Sequence, residues 1–237
     1  MPHWDTADSD FDLVRRGAAY YDGLLDGLPD AAFAEPSALP DWTRGHVVAH
    51  VALNALALTR LVHWAATGVE TPMYASPEAR NTDIAAHAGW PPPDLRRLHR
   101  DATATLAAAW REIPHDRWAA PVSTNTAAGL PGYETVWMRV KELWLHAIDL
   151  GAGGAWDDVP AEFVDRLLAD TVALWVSRGQ CAGLVLAPFD RADSMTVAGD
   201  GTTVTASGSA ADLARWATGR GDAGVSSSAP VDVPRWR

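Results

Sequence analysis

The stretch from Lys141 to Leu150 contains a glutamate and a histidine placed as two ligands of a metal ion would be. It is predicted to be helical, because apolar residues recur along it at three- and four-residue steps. Glu142 and His146 are four positions apart, so their side chains lie one above the other on one helix face. A carboxylate and an imidazole in this arrangement form half of a metal site or a hydrogen-bonded pair beside a core. A third ligand from elsewhere in the chain would distinguish the two.

A second predicted helix supplies two candidates for that third ligand. His46 and His50 are also four positions apart, and a helical wheel places His50 closer to the apolar stripe. A histidine on an apolar helix flank is more often a buried core residue. Helical bundles, however, commonly build metal sites from side chains on facing helices. We therefore predict His50 as the third ligand and keep His46 as the alternative.

His50, Glu142 and His146 form a set of two histidines and one carboxylate. Three protein ligands leave a coordination position open, which is typical of catalytic metal sites. Zinc is the usual ion for such a set, although ferrous iron also uses it. The chain has a single cysteine, Cys181, so a cysteine-rich structural zinc site and an intrachain disulfide are both excluded.

Composition and charge exclude some classes of function. Of the 237 residues, 48% are hydrophobic and 12 are tryptophan, so a sizeable core is expected. The net charge of -11 offers no basic surface for phosphates, and we predict no nucleic-acid partner. The N-terminus has no signal-peptide pattern and polar residues interrupt the longest apolar stretch, so we expect no membrane segment. The lone cysteine fits a reducing compartment, and we expect a cytoplasmic monomer.

Four long amphipathic helices are predicted to position the ligands, and four such helices indicate a bundle. Their expected ranges are about 8–26, with a cap at residues 8–10, then 43–67, 94–112 and 134–150. A short helix is predicted to begin at Ser76, and the loop 113–133 has room for a small hairpin. The glycine-rich stretch 151–154 is the clearest break, so we expect a metal-binding helical bundle over residues 1–153.

Residues 154–237 are predicted to form a small α+β domain, which makes the whole chain α+β. A helix is expected over 160–178, followed by short strands at 183–188, 194–197 and 202–206. Gly199-Asp200-Gly201 is predicted to be the hairpin turn between the last two strands. Ser209 with Asp212 resembles a capping box and predicts a final helix that ends near residue 219.

Several stretches of the chain resemble one known family. Asp41-Trp42-Thr43 with His50, followed by Glu-x-x-x-His on a later helix, is similar to the DinB-like metal-binding bundle superfamily. Four stretches narrow the resemblance to the mycothiol-dependent maleylpyruvate isomerases of actinobacteria, and they are WTRGHVVAHVALNA (42–55), HWAATGVETPMYASPEARN (63–81), ETVWMRVKELWLHAIDLG (134–151) and GRGDAGV (219–225). The resemblance covers nearly the whole chain, and its C-terminal part is similar to a sterol-carrier-protein-like fold.

The resemblance implies a reaction, two cofactors and one catalytic residue. The family isomerises maleylpyruvate to fumarylpyruvate in gentisate degradation, with mycothiol as the thiol cofactor. It implies zinc on His50, Glu142 and His146, and a catalytic arginine at Arg220. Addition of a thiolate to the conjugated alkene makes that bond single, so that it can rotate before the thiolate leaves. A metal lowers the pKa of the thiol, and a guanidinium stabilises the enolate charge.

Other polar residues keep two interpretations at this stage. Arg220 follows a helix end, where an arginine often only complements the helix dipole. Asn54, one turn beyond the predicted histidine ligand, lies behind the metal or is simply a buried hydrogen-bonding residue. Arg80 and Asn81 are predicted in a loop after a short helix, where they meet the substrate's second carboxylate or remain solvated.

Two further functions compete with the isomerase. A mycothiol S-transferase would use the same metal site but consume the thiol. A carrier or regulatory module would use the metal structurally and bind an apolar ligand in its second domain. The three-ligand set argues against the carrier, because it does not close the coordination shell.

Overall fold

The helices of the first half fall where the apolar periodicity predicts them. The structure, a computed structural model, describes residues 4–125 and 127–234, and for residues 4–8 it describes the helical backbone alone. The helices are α1 (Trp4–Asp26), α2 (Arg44–Thr67), the short α3 (Pro77–Ala88), α4 (Pro92–Glu112) and α5 (Glu134–Asp149). Helix α2 is central, because it contacts α3, α4 and α5, while α1 packs against α5. The two helices that carry the predicted ligands are therefore neighbours.

Two side-chain caps fix the beginnings of α2 and α3. The hydroxyl of Thr43 accepts a hydrogen bond from the backbone N–H of His46 at the start of α2. The hydroxyl of Ser76 accepts one from the N–H of Ala79, 3.1 Å away, as the Ser-Pro sequence predicts.

Helix α1 begins at Trp4, earlier than the predicted cap at residues 8–10. Aspartates favour any of the first helical turns, because they complement the positive end of the helix dipole. The sequence Asp8-Ser9-Asp10 therefore marks the N-terminal region of the helix without identifying its first turn.

Helix α2 is also long and apolar enough to cross a membrane, with a mean hydropathy of 1.3 over its most apolar 18-residue window. However, 72% of that window is buried inside the protein, as in the core helix of a bundle. The apolar character of α2 is explained by packing on several sides rather than by lipid.

The second part of the chain contains two helices and a four-stranded sheet, so the predicted α+β class is confirmed. Helix α6 (Ala161–Ser177) and helix α7 (Ala210–Ala217) pack together, and Ser209 caps α7 as predicted. The first part of the chain also contains a two-stranded hairpin, β1 (Pro121–Val122) and β2 (Leu130–Pro131), which precedes α5. The sheet strands are β3 (Leu184–Pro188), β4 (Met195–Thr196), β5 (Val204–Gly208) and β6 (Ser226–Ser227), in the order β4-β3-β5-β6.

The predicted hairpin turn at Gly199-Asp200-Gly201 is wrong. Strands β4 and β5 lie on opposite sides of β3, antiparallel and parallel to it respectively, so the glycine segment crosses from one side to the other. A Cβ on Gly201 would lie 1.9 Å from the carbonyl oxygen of Ala182, which precedes β3. The crossing segment needs glycine because it contacts the backbone that precedes β3. A tight turn also needs glycine, so the sequence alone does not distinguish the two.

Contacts divide the chain into two compact units, one ending at Gly154 and the other beginning at Ala155. The division lies beside the glycine-rich stretch 151–154. The first unit contains α1 to α5, and the second contains α6, α7 and the four-stranded sheet.

The contact between α2 and α3 depends on a glycine. A Cβ on Gly45 would lie 2.7 Å from the carbonyl oxygen of Ala88 at the end of α3. We expect Gly45→Ala to lower the free energy of unfolding by about 1–3 kcal/mol, because two backbones must separate. Gly23→Ala in α1 is the matched control, since nothing lies within 4 Å of its added Cβ. It should stabilise the protein by roughly 0.5–1 kcal/mol in the same urea titration; equal effects of the two changes would contradict this explanation.

Candidate metal centre

The structure brings together the three predicted ligands, His50 from α2 and Glu142 and His146 from α5. Glu142 Oε2 lies 2.9 Å from His50 Nε2 and 3.1 Å from His146 Nε2. One ligand atom from each residue lies within 4.8 Å of those of the other two. The two imidazole rings are nearly perpendicular, with centroids 4.7 Å apart. Three donor atoms therefore converge on one small volume.

Glu142 offers a buried carboxylate oxygen to a metal ion. Its Oε2 is buried and has no hydrogen-bond partner among the described residues, although two ring nitrogens are close. A divalent ion held by Glu142 and the two imidazoles would take the place of the close contacts of 2.9 and 3.1 Å between Oε2 and the ring nitrogens. A buried, orphaned carboxylate oxygen between two imidazoles is thus the donor arrangement that a divalent cation requires.

The charge states of the three groups follow from burial and from one another. Burial lowers the pKa of His50 and outweighs the opposing effect of Glu142, so this imidazole is neutral, as a ligand must be. Burial alone would raise the pKa of Glu142, but His50 and His146 hold it well below its usual range. Burial lowers the pKa of His146, yet the hydrogen bond with Asp149 and the adjacent carboxylate of Glu142 raise it overall to about 9.

Asp149 orients His146, and sequence reasoning missed it. Its Oδ2 lies 2.9 Å from His146 Nδ1, and the residue is 1% exposed. A carboxylate on the far nitrogen of a histidine ligand fixes the ring and directs Nε2 to the metal. The available signal was the three-residue spacing from His146, which places Asp149 on the same face of α5.

We expect Asp149→Asn to weaken zinc binding by roughly 10- to 100-fold, because the histidine ligand loses its charged partner. Competition with a chromophoric chelator would measure the affinity. Asp94→Asn is the control, because Asp94 lies on α4 and pairs with Arg97 near the surface. Zinc affinity equal to that of the unmodified protein would show that Asp149 does not support the ligand.

His46, the alternative candidate ligand, instead caps the start of α2. Its Nδ1 lies 3.2 Å from the backbone nitrogen of Thr43 and 2.7 Å from the Thr43 hydroxyl. It thereby completes the capping box at the start of α2, where a glutamate or glutamine is usual. The imidazole at this position therefore fixes the beginning of the helix that carries His50.

Arg139, one turn before Glu142, was also missed. It is 1% exposed, and its Nη1 donates to the Val51 carbonyl at 2.7 Å and to Asn54 Oδ1 at 3.4 Å. Its Nη2 donates to the Thr103 hydroxyl at 3.2 Å, so one guanidinium joins α5 to both α2 and α4. Burial lowers its pKa to about 10, which leaves it charged at neutral pH. Asn54 therefore serves as a buried acceptor for Arg139.

Arg80 and Asn81 lie inside α3, which corrects the predicted loop position. Arg80 Nη2 is 3.3 Å from His50 Nδ1, and Arg80 Nη1 donates to Asn81 Oδ1 at 3.1 Å. Arg80 is half-buried, whereas Asn81 is exposed. The helix continues past residue 81 because residues 82–88 contain no proline or glycine to end it. Arg80 thus contacts the predicted ligand His50 from α3, and α3 packs closely against α2 at Gly45.

Arg220 lies in the second unit, just after α7. Its backbone nitrogen donates to the Arg215 carbonyl at 2.9 Å, and its Nη1 donates to the Thr218 carbonyl at 3.1 Å. Gly219 before it has a φ of +74°, which favours glycine at the end of a helix. Arg215 holds the following segment by donating to the Ala223 carbonyl and, at 2.8 Å, to Asp212. The GRGDAGV segment is therefore fixed against α7, and Arg220 with it.

The fold and the site together define a class of protein: a helical bundle with a cluster of two histidines and a glutamate suited to hold a metal ion, followed by an α+β domain. A family model described as the mycothiol maleylpyruvate isomerase N-terminal domain matches residues 14–151, and the C-terminal domain model of the same family matches residues 158–237. The chain belongs to the mycothiol-dependent maleylpyruvate isomerase family.

Solved structures agree with this assignment. A crystal structure of a mycothiol-dependent maleylpyruvate isomerase is 43% identical, with a TM-score of 0.93 over 97% of both chains. A histidine-to-alanine mutant of a mycothiol-dependent maleylpyruvate isomerase is 42% identical, with a TM-score of 0.92 and the same coverage. Among curated protein sequences, none matches the chain significantly.

Proposed function

We propose that this chain is a cis–trans isomerase that converts maleylpyruvate to fumarylpyruvate with mycothiol as its thiol cofactor. The observation that carries the proposal is the partly buried cluster of His50, Glu142 and His146. It occurs in a chain that is 43% identical, over 97% of its length, to a mycothiol-dependent maleylpyruvate isomerase.

His50, Glu142 and His146 would hold a divalent ion, and we propose zinc. Such an ion lowers the pKa of a bound thiol and so makes available the thiolate that adds to, and leaves, a conjugated alkene. The lone cysteine, Cys181, is in the second unit and the pKa of its thiol is raised by burial, so it is a poor nucleophile at neutral pH. This supports a nucleophile that comes from a cofactor.

The residues of the chain hold and orient the reactants. His50 contributes a neutral imidazole, and Asp149 keeps the His146 ring turned toward Glu142. Arg220 is proposed as the group that stabilises negative charge on the pyruvyl oxygens of the substrate, which a guanidinium does through paired, charge-assisted hydrogen bonds. Its fixed position after α7 supports this role, since a fixed donor pays little reorganisation cost when charge develops.

The setting of the reaction is also a proposal. We expect a cytoplasmic monomer that acts in gentisate degradation and has neither nucleic-acid nor membrane partners. The acidic net charge of -11 supports the absence of a nucleic-acid partner, and the lone cysteine supports a reducing compartment.

One assay tests the function. Purified protein with zinc, mycothiol and maleylpyruvate should form fumarylpyruvate while the free-thiol concentration stays constant. Consumption of one thiol per substrate molecule would instead show that the protein is an S-transferase. Absence of any reaction, with zinc bound, would overturn both enzyme functions and favour the carrier.

A further inference from the structure

A positive charge lies beside the metal ligands with no negative partner. Arg80 is half-buried on the first turns of α3, and its Nη2 is 3.3 Å from His50 Nδ1. Its other contacts are the Asn81 amide oxygen, at 3.1 Å, and the Tyr74 ring, whose centroid is 5.8 Å from the guanidinium carbon. No carboxylate oxygen of the described residues lies within the 4.0 Å of an ion pair with Arg80.

Three other partly buried arginines of this chain have carboxylate partners. Arg44 and Arg96, with side chains 18% and 16% exposed, pair with Glu35 and Asp30. Arg191, 29% exposed, pairs with Asp165 at 2.8 Å. Removing a guanidinium from water is costly unless its donors are satisfied, as those of Arg139 are by three neutral oxygens. The Arg80 guanidinium donates to one oxygen, that of the Asn81 amide, so it has donors left for an anion.

The neighbours of Arg80 stay neutral. Burial, the largest effect, raises the pKa of Tyr74, and the nearby Glu142 raises it further, so the phenol keeps its proton. The Asn81 amide carries no charge. The Tyr74 ring and the Asn81 amide therefore position the guanidinium without cancelling its charge.

The chemistry of the substrate indicates which anion arrives there. This step rests on the proposed function. In an alkene conjugated with a ketone, a nucleophile adds to the carbon farther from the ketone. In maleylpyruvate that carbon carries the terminal carboxylate, so this carboxylate must lie close to the metal ligands when the reacting carbon does. The pyruvyl end points away from them.

We infer that Arg80 binds the terminal carboxylate of maleylpyruvate, with Tyr74 and Asn81 as the residues that position it. A dicarboxylic substrate with a cis double bond would be selected over a monocarboxylic one by the Arg80 contact.

The test compares Arg80→Gln with Arg97→Gln, the same change at an arginine that is 61% exposed and pairs with Asp94. In Arg80→Gln, KM for maleylpyruvate should rise by about 10- to 100-fold, as for loss of a charge-assisted hydrogen bond, while kcat changes less. In calorimetry, the Kd of maleate, which shares the terminal carboxylate and the cis double bond of the substrate, should rise by a similar factor. The Kd of pyruvate, which lacks both, should not change. Zinc content should be unchanged, and Arg97→Gln should leave every value unchanged.

The outcomes separate this inference from the proposed function. Isomerisation by the unmodified protein together with an unchanged KM and maleate affinity in Arg80→Gln would overturn the role of Arg80 alone. Equal losses for maleate and pyruvate would also overturn it, because the contact would not distinguish the two ends. A zinc-loaded protein that neither isomerises maleylpyruvate nor binds maleate would instead reject the function.

Discussion

His50→Ala is expected to weaken zinc binding by more than about 100-fold and to abolish isomerisation, because the change removes one of three ligands. Replacing a residue that merely supports a ligand costs roughly 10- to 100-fold, so removal of the ligand itself should cost more. Zinc content after dialysis and the rate of fumarylpyruvate formation would measure the two effects. The result would show whether α2 and α5 share a single ion.

His63→Ala is the matched control, because His63 lies on the same helix and is exposed. It should keep full zinc content and activity. His50→Gln preserves most of the buried volume, so a protein that keeps its melting temperature but loses zinc would separate ligand loss from damage to the core. Retention of one equivalent of zinc by both His50 variants would contradict the assignment.

Arg220→Ala is expected to lower kcat/KM by about 100- to 1000-fold, since removing one donor from a developing oxyanion has effects of this size. Zinc content should not change, because Arg220 is not among the clustered ligands. Stopped-flow measurement with saturating mycothiol would give the rate. Arg220→Lys should recover part of the activity, because it restores the charge but not the paired hydrogen bonds.

Arg178→Ala provides the comparison for that variant. Arg178 is an exposed arginine at the end of α6 in the same unit, and its replacement should leave kcat/KM unchanged. Full activity in Arg220→Ala would remove Arg220 from the mechanism. An equal loss in both variants would point to the overall charge of the second unit instead of to one guanidinium.

The bundle and the proximity of His50, Glu142 and His146 are predictable from sequence because both depend on helical spacing. Glu142 and His146 are four positions apart, and apolar residues place α2 and α5 as neighbours. The resemblance to a family adds Arg220, which no periodicity in the sequence singles out. The strand crossing at Gly199–Gly201 was not predictable, because glycine serves a tight turn and a close backbone contact equally well.

The residues around the ligands were harder to predict, because their partners are distant in sequence. Arg139 donates to Val51 and Asn54, which are 88 and 85 positions away, so no local pattern reveals that it is buried. The sequence places Arg80 in a loop, because Ser76 and Pro77 predict the start of a helix but not its length. Its contact with His50 depends on the packing of α3 against α2, which only the folded chain provides.

Arg139 has a practical consequence for the identity of the ion. Its guanidinium ties α5 to α2 and α4 through hydrogen bonds that involve none of the three ligands. The ligands are thus held by protein contacts, so a chelator should strip the ion and leave the chain folded. A single preparation could then be reloaded in turn with zinc, cobalt or ferrous iron, without passing through a denatured state. Electronic spectra and turnover compared across those reloaded samples would identify the native ion.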